Sequence, residues 1–173
     1  MATKTLSNDF MQNIASEEAW KKLSGEFSWS ETLLEKCQDK VDWDEISENQ
    51  NIIWTIPMLR KFQKRVNWEK LSAYIDSDLL SETMIEAFKN LWNWHELSDH
   101  VDVTHELLAK FADRWDWAAV IDNYGNQNIF NNSAINFFEL YKDHIPVSRL
   151  QGTCLWREII DQQKSLLIEE ITA

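Results

Sequence analysis

The tryptophans of this chain recur at a nearly constant interval. Five of them stand 23, 25, 26 and 23 residues apart: Trp20, Trp43, Trp68, Trp94 and Trp117. A fixed interval is the signature of a repeat architecture, in which each unit buries its apolar face only by stacking on its neighbours. The spacing therefore constrains the fold before composition is considered.

Four further positions of the repeat are apolar. They lie ten, nine and six residues before each Trp and three residues after it, and a sixth, degenerate unit has Val147 at the Trp position. Across six units these positions hold 24 residues, all hydrophobic, although a composition that is 44% hydrophobic would leave about 13 of them polar. The pattern predicts a genuine structural repeat.

Helix-capping residues divide each unit into two helices. A Ser or Thr, flanked by apolar residues in the hydrophobic-staple arrangement, stands thirteen residues before the Trp, and an Asp or Asn directly precedes most of the tryptophans. We expect a first helix of about a dozen residues and a second, two-turn helix that begins near the Trp. The first caps are Ser7, Ser30, Thr55, Ser81 and Thr104, and the second are Asp42, Asn67, Asn93 and Asp116.

Glycine and proline are scarce, with 3 Gly and 2 Pro in 173 residues, which disfavours tight hairpins and phosphate-binding loops. The predicted fold is all-α: an α-solenoid of about six short helical hairpins with a C-terminal capping helix in residues 152–173. One helical-repeat domain is expected over residues 1–173, and the Asn-rich segment 122–132 is the predicted mobile loop. The units centre on Trp20, Trp43, Trp68, Trp94, Trp117 and Val147.

Two segments carry a recognisable motif. Phe62–Ser72 reads FQKRVNWEKLS, and Cys37–Ser47 reads CQDKVDWDEIS. They resemble the short tryptophan repeats, F-x-x-x-V-[DN]-W-x-x-[IL]-S, of uncharacterised bacterial, phage and giant-virus proteins. The resemblance covers roughly residues 6–121, and extends weakly up to residue 151. It implies a helical array, with no activity and no catalytic residue attached. The end units depart from the pattern, since unit six has Pro146 and Val147, and unit one has Glu18 at a usually apolar position.

Ten tryptophans also raise the alternative of an aromatic ligand-binding surface. Every one of them, however, occupies an apolar position of the repeat, a staple position or the C-terminal cap. We therefore predict that they pack in the core, and that Trp43, Trp68, Trp94 and Trp117 are mostly buried at equivalent places.

No catalytic residue, cofactor or metal site is predicted. His95, His100 and His105 are five residues apart, a spacing that does not place two ligands on one helical face. Cys37 lies at an apolar repeat position and is expected to be a small buried hydrophobe, while Cys154 has no partner at metal or disulfide spacing. The chain also contains no nucleophile motif.

One dense basic patch is present, formed by Arg60, Lys61, Lys64 and Arg65. Its position near a helix C-terminus favours a structural role through the helix dipole. A specific anionic ligand is the alternative.

Acidic residues dominate the charge, with 29 Asp and Glu against 17 Lys and Arg, for a net charge of −12. Such a field repels nucleic acid and anionic membranes. Several carboxylates have no evident capping role, and we expect them to bind a protein partner, with a basic one favoured; an immunity or antitoxin role against a basic toxin is an analogy. These candidate residues are Asp76, Asp78, Glu82, Glu86, Asp99, Asp102, Glu106 and Asp113.

Two other functions stay open: a structural protein that forms a homo-oligomer and, less favoured, an enzyme of unknown type. The sequence has no apolar run of membrane-spanning length and no secretory leader pattern. A reducing compartment suits its two unpaired cysteines. The expected location is therefore the cytoplasm.

Overall fold

The computed structural model describes residues 9–100, 102–130 and 133–173. Within those ranges the chain is helical and contains no β-strand, which confirms the predicted all-α class. The chain divides into two compact units, Met1–Leu91 and Trp92–Ala173. The single-domain organisation stays a prediction.

The first unit contains six α-helices in its described residues, and a 3-10 turn, Ser77–Leu79, precedes the last of them. They are α1 Asp9–Glu26, α2 Glu31–Cys37, α3 Trp43–Glu48, α4 Ile56–Phe62, α5 Trp68–Tyr74 and α6 Glu82–Ala87. The second unit contains α7 Trp94–His100, α8 His105–Lys110, α9 Trp117–Val120, α10 Gln127–Phe130, α11 Ala134–Tyr141, α12 Val147–Leu150 and α13 Cys154–Thr172, with a 3-10 turn at Tyr124–Asn126.

The predicted caps are confirmed wherever the structure describes them. Four Ser and Thr side chains each accept a hydrogen bond from the backbone N–H three residues further on: Ser30, Thr55, Ser81 and Thr104. The side chains of Asp42, Asn67, Asn93 and Asp116 accept backbone N–H bonds at the start of the second helices. Ser7, the cap predicted for the first unit, lies outside the described residues.

The first helices of the hairpins are shorter than predicted, with six or seven residues each in α2, α4, α6 and α8 instead of about a dozen. Each ends at or just before the residue six positions ahead of the Trp, where the chain tightens into a turn. After α2, for example, the N–H groups of Lys40 and Val41 both bond to the Cys37 carbonyl. The turn folds the chain back before a further helical turn can form.

The first repeat is not a hairpin, contrary to the prediction. Helix α1 runs without a break for 18 residues and passes through Trp20. Ala19 stands where the other repeats have Asp or Asn, so no side chain is available there to cap a second helix. The helix therefore continues.

A buried serine joins successive repeats. Ser47 lies four residues after Trp43; its hydroxyl donates to the Trp43 carbonyl at 2.6 Å and accepts the Asn67 backbone N–H at 2.9 Å. Ser24 makes the same pair of bonds with Trp20 and Asp42, and Ser98 makes it with Trp94 and Asp116. A hydroxyl both donates and accepts, so one small side chain ties the end of one repeat to the cap of the next.

The repeat tryptophans stack on the following repeat. Trp43 packs on Phe62 with ring centroids 5.2 Å apart, Trp68 on Phe88 at 5.2 Å and Trp94 on Phe111 at 5.5 Å. Trp117 packs likewise on Tyr141 at 4.9 Å. Each aromatic partner is the residue six positions before the next Trp position. This ring-on-ring packing explains why that position is aromatic in most repeats.

The predicted burial of these tryptophans is only partly correct. Trp117 is 6% exposed, whereas Trp43, Trp68 and Trp94 are half-buried. The indole N–H of Trp43 donates to the Gln38 carbonyl in the turn before it, and that edge of the ring stays near the surface. Deeper burial belongs to the staple and flanking tryptophans, Trp29, Trp54, Trp92 and Trp115.

Three predictions about the second unit need correction. The segment expected as a loop, 122–132, forms a 3-10 turn and α10, and the buried Asn126 amide donates to the Val120 carbonyl and accepts the Val103 N–H. Val147 does not replace a core Trp, because it is 65% exposed. The C-terminal helix is confirmed as α13, but its buried residues, Cys154 and Leu155, are confined to its first turn. The Asn131 and Asn132 positions lie outside the described residues.

Replacing Ser47 with Ala should lower the free energy of unfolding by about 1–2 kcal/mol, because the Asn67 N–H would lose its acceptor at a repeat junction. Urea denaturation of the variant and the parent measures this difference. Ser165→Ala is the matched control, since Ser165 makes a similar bond to the carbonyl four residues back on exposed α13. Equal losses in both variants would contradict a junction role for Ser47.

Candidate protein-docking surface

The predicted partner-binding carboxylates fall mainly on two connections between repeats, each in a different unit. We call residues 76–86 the first acidic connection and residues 99–106 the second acidic connection. The first contains Asp76, Asp78, Glu82 and Glu86, and the second contains Asp99, Asp102 and Glu106. Asp113 lies apart from both, in the turn after α8. All eight residues are exposed except Glu86, which is half-buried.

The first acidic connection combines structural and unengaged carboxylates. Asp76 caps the 3-10 turn by accepting the Asp78 N–H at 3.0 Å, and Glu86 pairs with Lys89 at 2.7 Å. Glu82 lies in the first turn of α6, where a negative charge complements the helix dipole. The carboxylate of Asp78 has no salt bridge among the described residues. The connection therefore keeps a net negative surface.

The second acidic connection links α7 to α8. The Glu106 carboxylate accepts bonds from its own backbone N–H and from the Thr104 hydroxyl, and these bonds lower the pKa of Glu106. Asp102 lies against Gly125, where any larger residue would clash with its carboxylate. Within the described part of the chain, neither Asp99 nor Asp102 forms a salt bridge. All three carboxylates are at the surface.

Another connection of the same kind shows that the repeat does not require these charges. Residues 49–55, between α3 and α4, read NQNIIWT and contain no charged side chain. Its Asn49 amide instead donates to the Ser24 and Phe27 carbonyls at 2.7 and 2.9 Å. By contrast, residues 66–109 carry nine carboxylates against two lysines. The segment that joins two hairpins therefore does not itself require acidic residues.

The basic patch is largely occupied by neighbouring acidic residues. Lys61 bonds to Glu35 at 2.7 Å and to Glu31 at 3.1 Å, and these bonds raise the pKa of Lys61. Arg65 pairs with Asp39 at 2.9 Å. Lys64 and Arg65 lie in the turn after α4, beyond the end of the helix on which they were predicted to lie. The Lys61 pairs join α4 to α2, and the Arg65 pair joins the turns that follow these two helices. The predicted role through the helix dipole stays a prediction.

The histidines do not converge. His95 Nδ1 lies 2.7 Å from Asp116 Oδ2, and His105 packs on the rings of Phe137 and Tyr141. Throughout the described ranges, no three His, Cys, Asp or Glu side chains are grouped as a metal site would require. The Cys154 thiol is buried, and this burial raises its pKa. Cys37 is half-buried, so the prediction of a small buried hydrophobe is only partly correct.

The His95–Asp116 pair reinforces a cap. Partial burial acts to raise the pKa of Asp116, but the hydrogen bonds from His95 and from the Ala119 and Ala118 N–H groups outweigh it, and the pKa lies below its usual value. The same hydrogen bond raises the pKa of His95. In the first unit, Asp44 and Asn67 make the equivalent contact at 2.8 Å.

The sequence patterns did not reveal an uncovered tryptophan. Trp20 is half-buried and, among the described residues, has no aromatic ring packed on it. The Lys40 ammonium lies 5.6 Å from its ring centroid. Two signals were present in the sequence: Cys37 where later repeats have an aromatic residue, and Glu18 at a usually apolar position. Neither residue shows by itself that Trp20 is uncovered, because that depends on which residue of the next repeat packs on each ring.

Comparisons with family models, with curated proteins and with solved structures find no match to this chain. Neither α1 nor α13, the longest helices in the described ranges, has the length and apolar character needed to cross a membrane, and the same holds for the shorter ones. Two features of the described residues suggest a binding role: the distribution of the exposed carboxylates and the uncovered face of Trp20.

Raising the pH from about 6 to about 8 should destabilise the protein by up to about 0.5 kcal/mol through His95, the scale of an exposed ion pair. Because the folded pKa of His95 is raised, its contribution is complete below the unfolded pKa of about 6.5 and is lost as the pH rises through the folded pKa. Urea denaturation at both pH values measures the change.

His95→Gln should remove this part of the pH dependence. Asp116→Asn is the matched variant, because an Asn already serves as the cap at Asn67 and Asn93. It should retain the cap and lose the same pH dependence. A parent-like pH profile in either variant would show that the pair does not contribute.

Proposed function

We propose that this chain is a non-enzymatic helical-repeat protein that binds a basic protein partner through its acidic connections. The supporting observation is the contrast between connections. Residues 49–55 join two hairpins without any charge, whereas the equivalent segments carry the exposed carboxylates of Asp76 and Asp78 in the first acidic connection and of Asp102 in the second. Exposed carboxylates that folding does not require can take part in the recognition of a partner.

At such an interface, electrostatic steering increases the rate at which the partner associates. Carboxylates at the surface attract a cationic partner over distances of about 8 Å at physiological ionic strength and speed its association. Fixed backbone geometry around caps such as Asp76 and Thr104 keeps the neighbouring carboxylates in place. Little affinity is expected from any one exposed pair, so several carboxylates must act together.

The stacking seen within each unit supports the local geometry of an α-solenoid. Serine bridges recur from one repeat to the next at Ser24, Ser47 and Ser98, and Trp–Phe contacts recur at Trp43, Trp68 and Trp94. The resemblance to short tryptophan repeats agrees with this proposal and stays a prediction. A cytoplasmic setting, and an immunity or antitoxin role against a basic toxin, are part of the same hypothesis.

Charge reversal at Glu82 and Glu86, to Lys at both positions, should slow association with the partner at least fivefold at low salt, because it removes steering charge from the first acidic connection. Affinity capture from the native cytoplasm on the immobilised chain supplies the partner, and surface-based kinetics at two salt concentrations gives the rate. The captured protein is expected to be basic and its association to weaken with salt.

Charge reversal at Glu169 and Glu170 is the matched control. It changes the net charge equally but lies on the exposed end of α13 and belongs to neither acidic connection. This control should leave association within about twofold of the parent. Equal slowing in both double variants would assign the effect to net charge, and capture of acidic partners alone would contradict the proposal.

Self-association is a second candidate, favoured by the end of α13. Leu166, Leu167, Ile168 and Ile171 are each about half exposed or more. Apolar residues on a terminal helix are covered in many repeat proteins by a further unit. Light scattering across a range of concentrations measures the mass in solution, and a constant monomer mass would eliminate this candidate.

A further inference from the structure

The first repeat lacks an arrangement that the later repeats share. In those repeats an aromatic residue six positions before the next Trp covers the ring, as Phe62 covers Trp43 and Phe88 covers Trp68. The corresponding residue for Trp20 is Cys37, whose thiol is too small to replace a phenyl ring. One face of Trp20 is consequently left without a ring partner.

The indole N–H of Trp20 is also unengaged. Trp43, Trp68 and Trp117 each donate this N–H to the carbonyl five residues earlier, which the turn before the Trp exposes. Helix α1 is continuous through Trp20, so the carbonyl of Ala15 lies within the helix. No acceptor for the Trp20 N–H exists among the described residues. The ring therefore offers a donor as well as a face.

The space in front of Trp20 is an open cavity of about 760 Å³ with an acidic lining. Four carboxylates line it, together with two lysines: Glu17, Glu18, Asp39 and Asp42, with Lys40 and with Lys21, which pairs with Glu45. Asp42 is engaged as a helix cap and Asp39 pairs with Arg65, whereas Glu17 and Glu18 have no salt bridge within the described ranges. Glu18 occupies a position that is filled by an apolar residue, such as Val41 or Val66, in other repeats.

Lys40 shows which chemistry this site accepts. Its ammonium lies over the Trp20 ring, 5.6 Å from the centroid, in a cation–π contact. The lysine is exposed and its side chain is flexible, so it can be displaced. An anionic ligand would be repelled by the surrounding carboxylates, and a neutral aromatic ligand would gain nothing from them. A cation fits both the ring and its acidic surroundings.

We propose that the Trp20 face, with Glu17 and Glu18, binds an arginine side chain of a basic protein. A guanidinium is planar and stacks on an indole, and its fork of N–H donors pairs with carboxylates. A backbone carbonyl next to that arginine would accept the free indole N–H. Only the choice of a protein as the source of the arginine rests on the proposed function; the site itself rests on the contacts around Trp20.

The test uses a capped peptide, Ser-Gly-Arg-Gly-Ser, and matched peptides with lysine or citrulline in place of arginine. Titration into the full ¹⁵N-labelled chain is followed at the Trp20 indole N–H signal, assigned by its loss in Trp20→Phe. The arginine peptide should shift this signal saturably. Citrulline, which is uncharged but nearly the same shape, should bind at least fivefold more weakly, and lysine should bind more weakly than arginine.

Two variants of the chain test the roles of Lys40 and of the uncovered Trp20 face. Lys40→Gln removes the competing cation and should tighten arginine binding about two- to fivefold, the range of an exposed cation–π contact. Cys37→Phe supplies the missing ring and should abolish the shift while thermal melting shows a folded protein. If that variant does not fold, Glu18→Val is the alternative, since it removes one carboxylate and should weaken arginine binding at least twofold.

Absence of a saturable Trp20 shift up to the solubility limit of the peptide would overturn the inference. Equal binding of the arginine and citrulline peptides, or of the arginine and lysine peptides, would do the same. Unchanged arginine binding in Cys37→Phe would show that the uncovered face is not the site. None of these results bears on the salt-dependent association tested with Glu82 and Glu86, so the two proposals fail separately.

Discussion

The hydrogen bonds of one buried hydroxyl determine how each repeat meets the next. The Ser47 hydroxyl accepts a hydrogen bond from the backbone N–H of Asn67, which caps the following short helix. The same hydroxyl donates a hydrogen bond to the Trp43 carbonyl. The register between two repeats is fixed because the Asn67 N–H reaches this hydroxyl only when the two backbones approach closely, which a small side chain permits. The tryptophan and the following aromatic residue then meet at about 5 Å, as Trp43 and Phe62 do. Caps, ring contacts and register therefore depend on one another.

This dependence leaves the connections between repeats free to vary. A connection has only to lead from a short helix to the next cap. Residues 49–55 do so with neutral side chains, whereas residues 75–81 include the carboxylates of Asp76 and Asp78. Since exposed charge contributes little to folding stability, selection on the surface can act there without disturbing the core. The proposed interface uses the part of the repeat with the fewest structural constraints.

The first repeat illustrates how a small departure changes the surface chemistry. Ala19 in place of a capping residue keeps α1 continuous, and Cys37 in place of an aromatic residue uncovers Trp20. Each change removes one partner of the indole, the carbonyl acceptor in the first case and the ring in the second. The equivalent tryptophans of the later repeats pack on an aromatic ring. Trp20 is instead available for a ligand, and the Lys40 ammonium lies over its face.

The sequence by itself determined the helical class, the period and the caps, because these depend on local spacing and on side chains such as Ser30 and Thr55 that bond within their own turn. It also marked the candidate carboxylates, since charge is read directly from composition. Only the tertiary structure decided the depth of burial of each Trp and the bridging role of Ser47. Those properties arise from contacts between residues about twenty positions apart, such as Ser47 with Asn67, and spacing within one helix does not contain them.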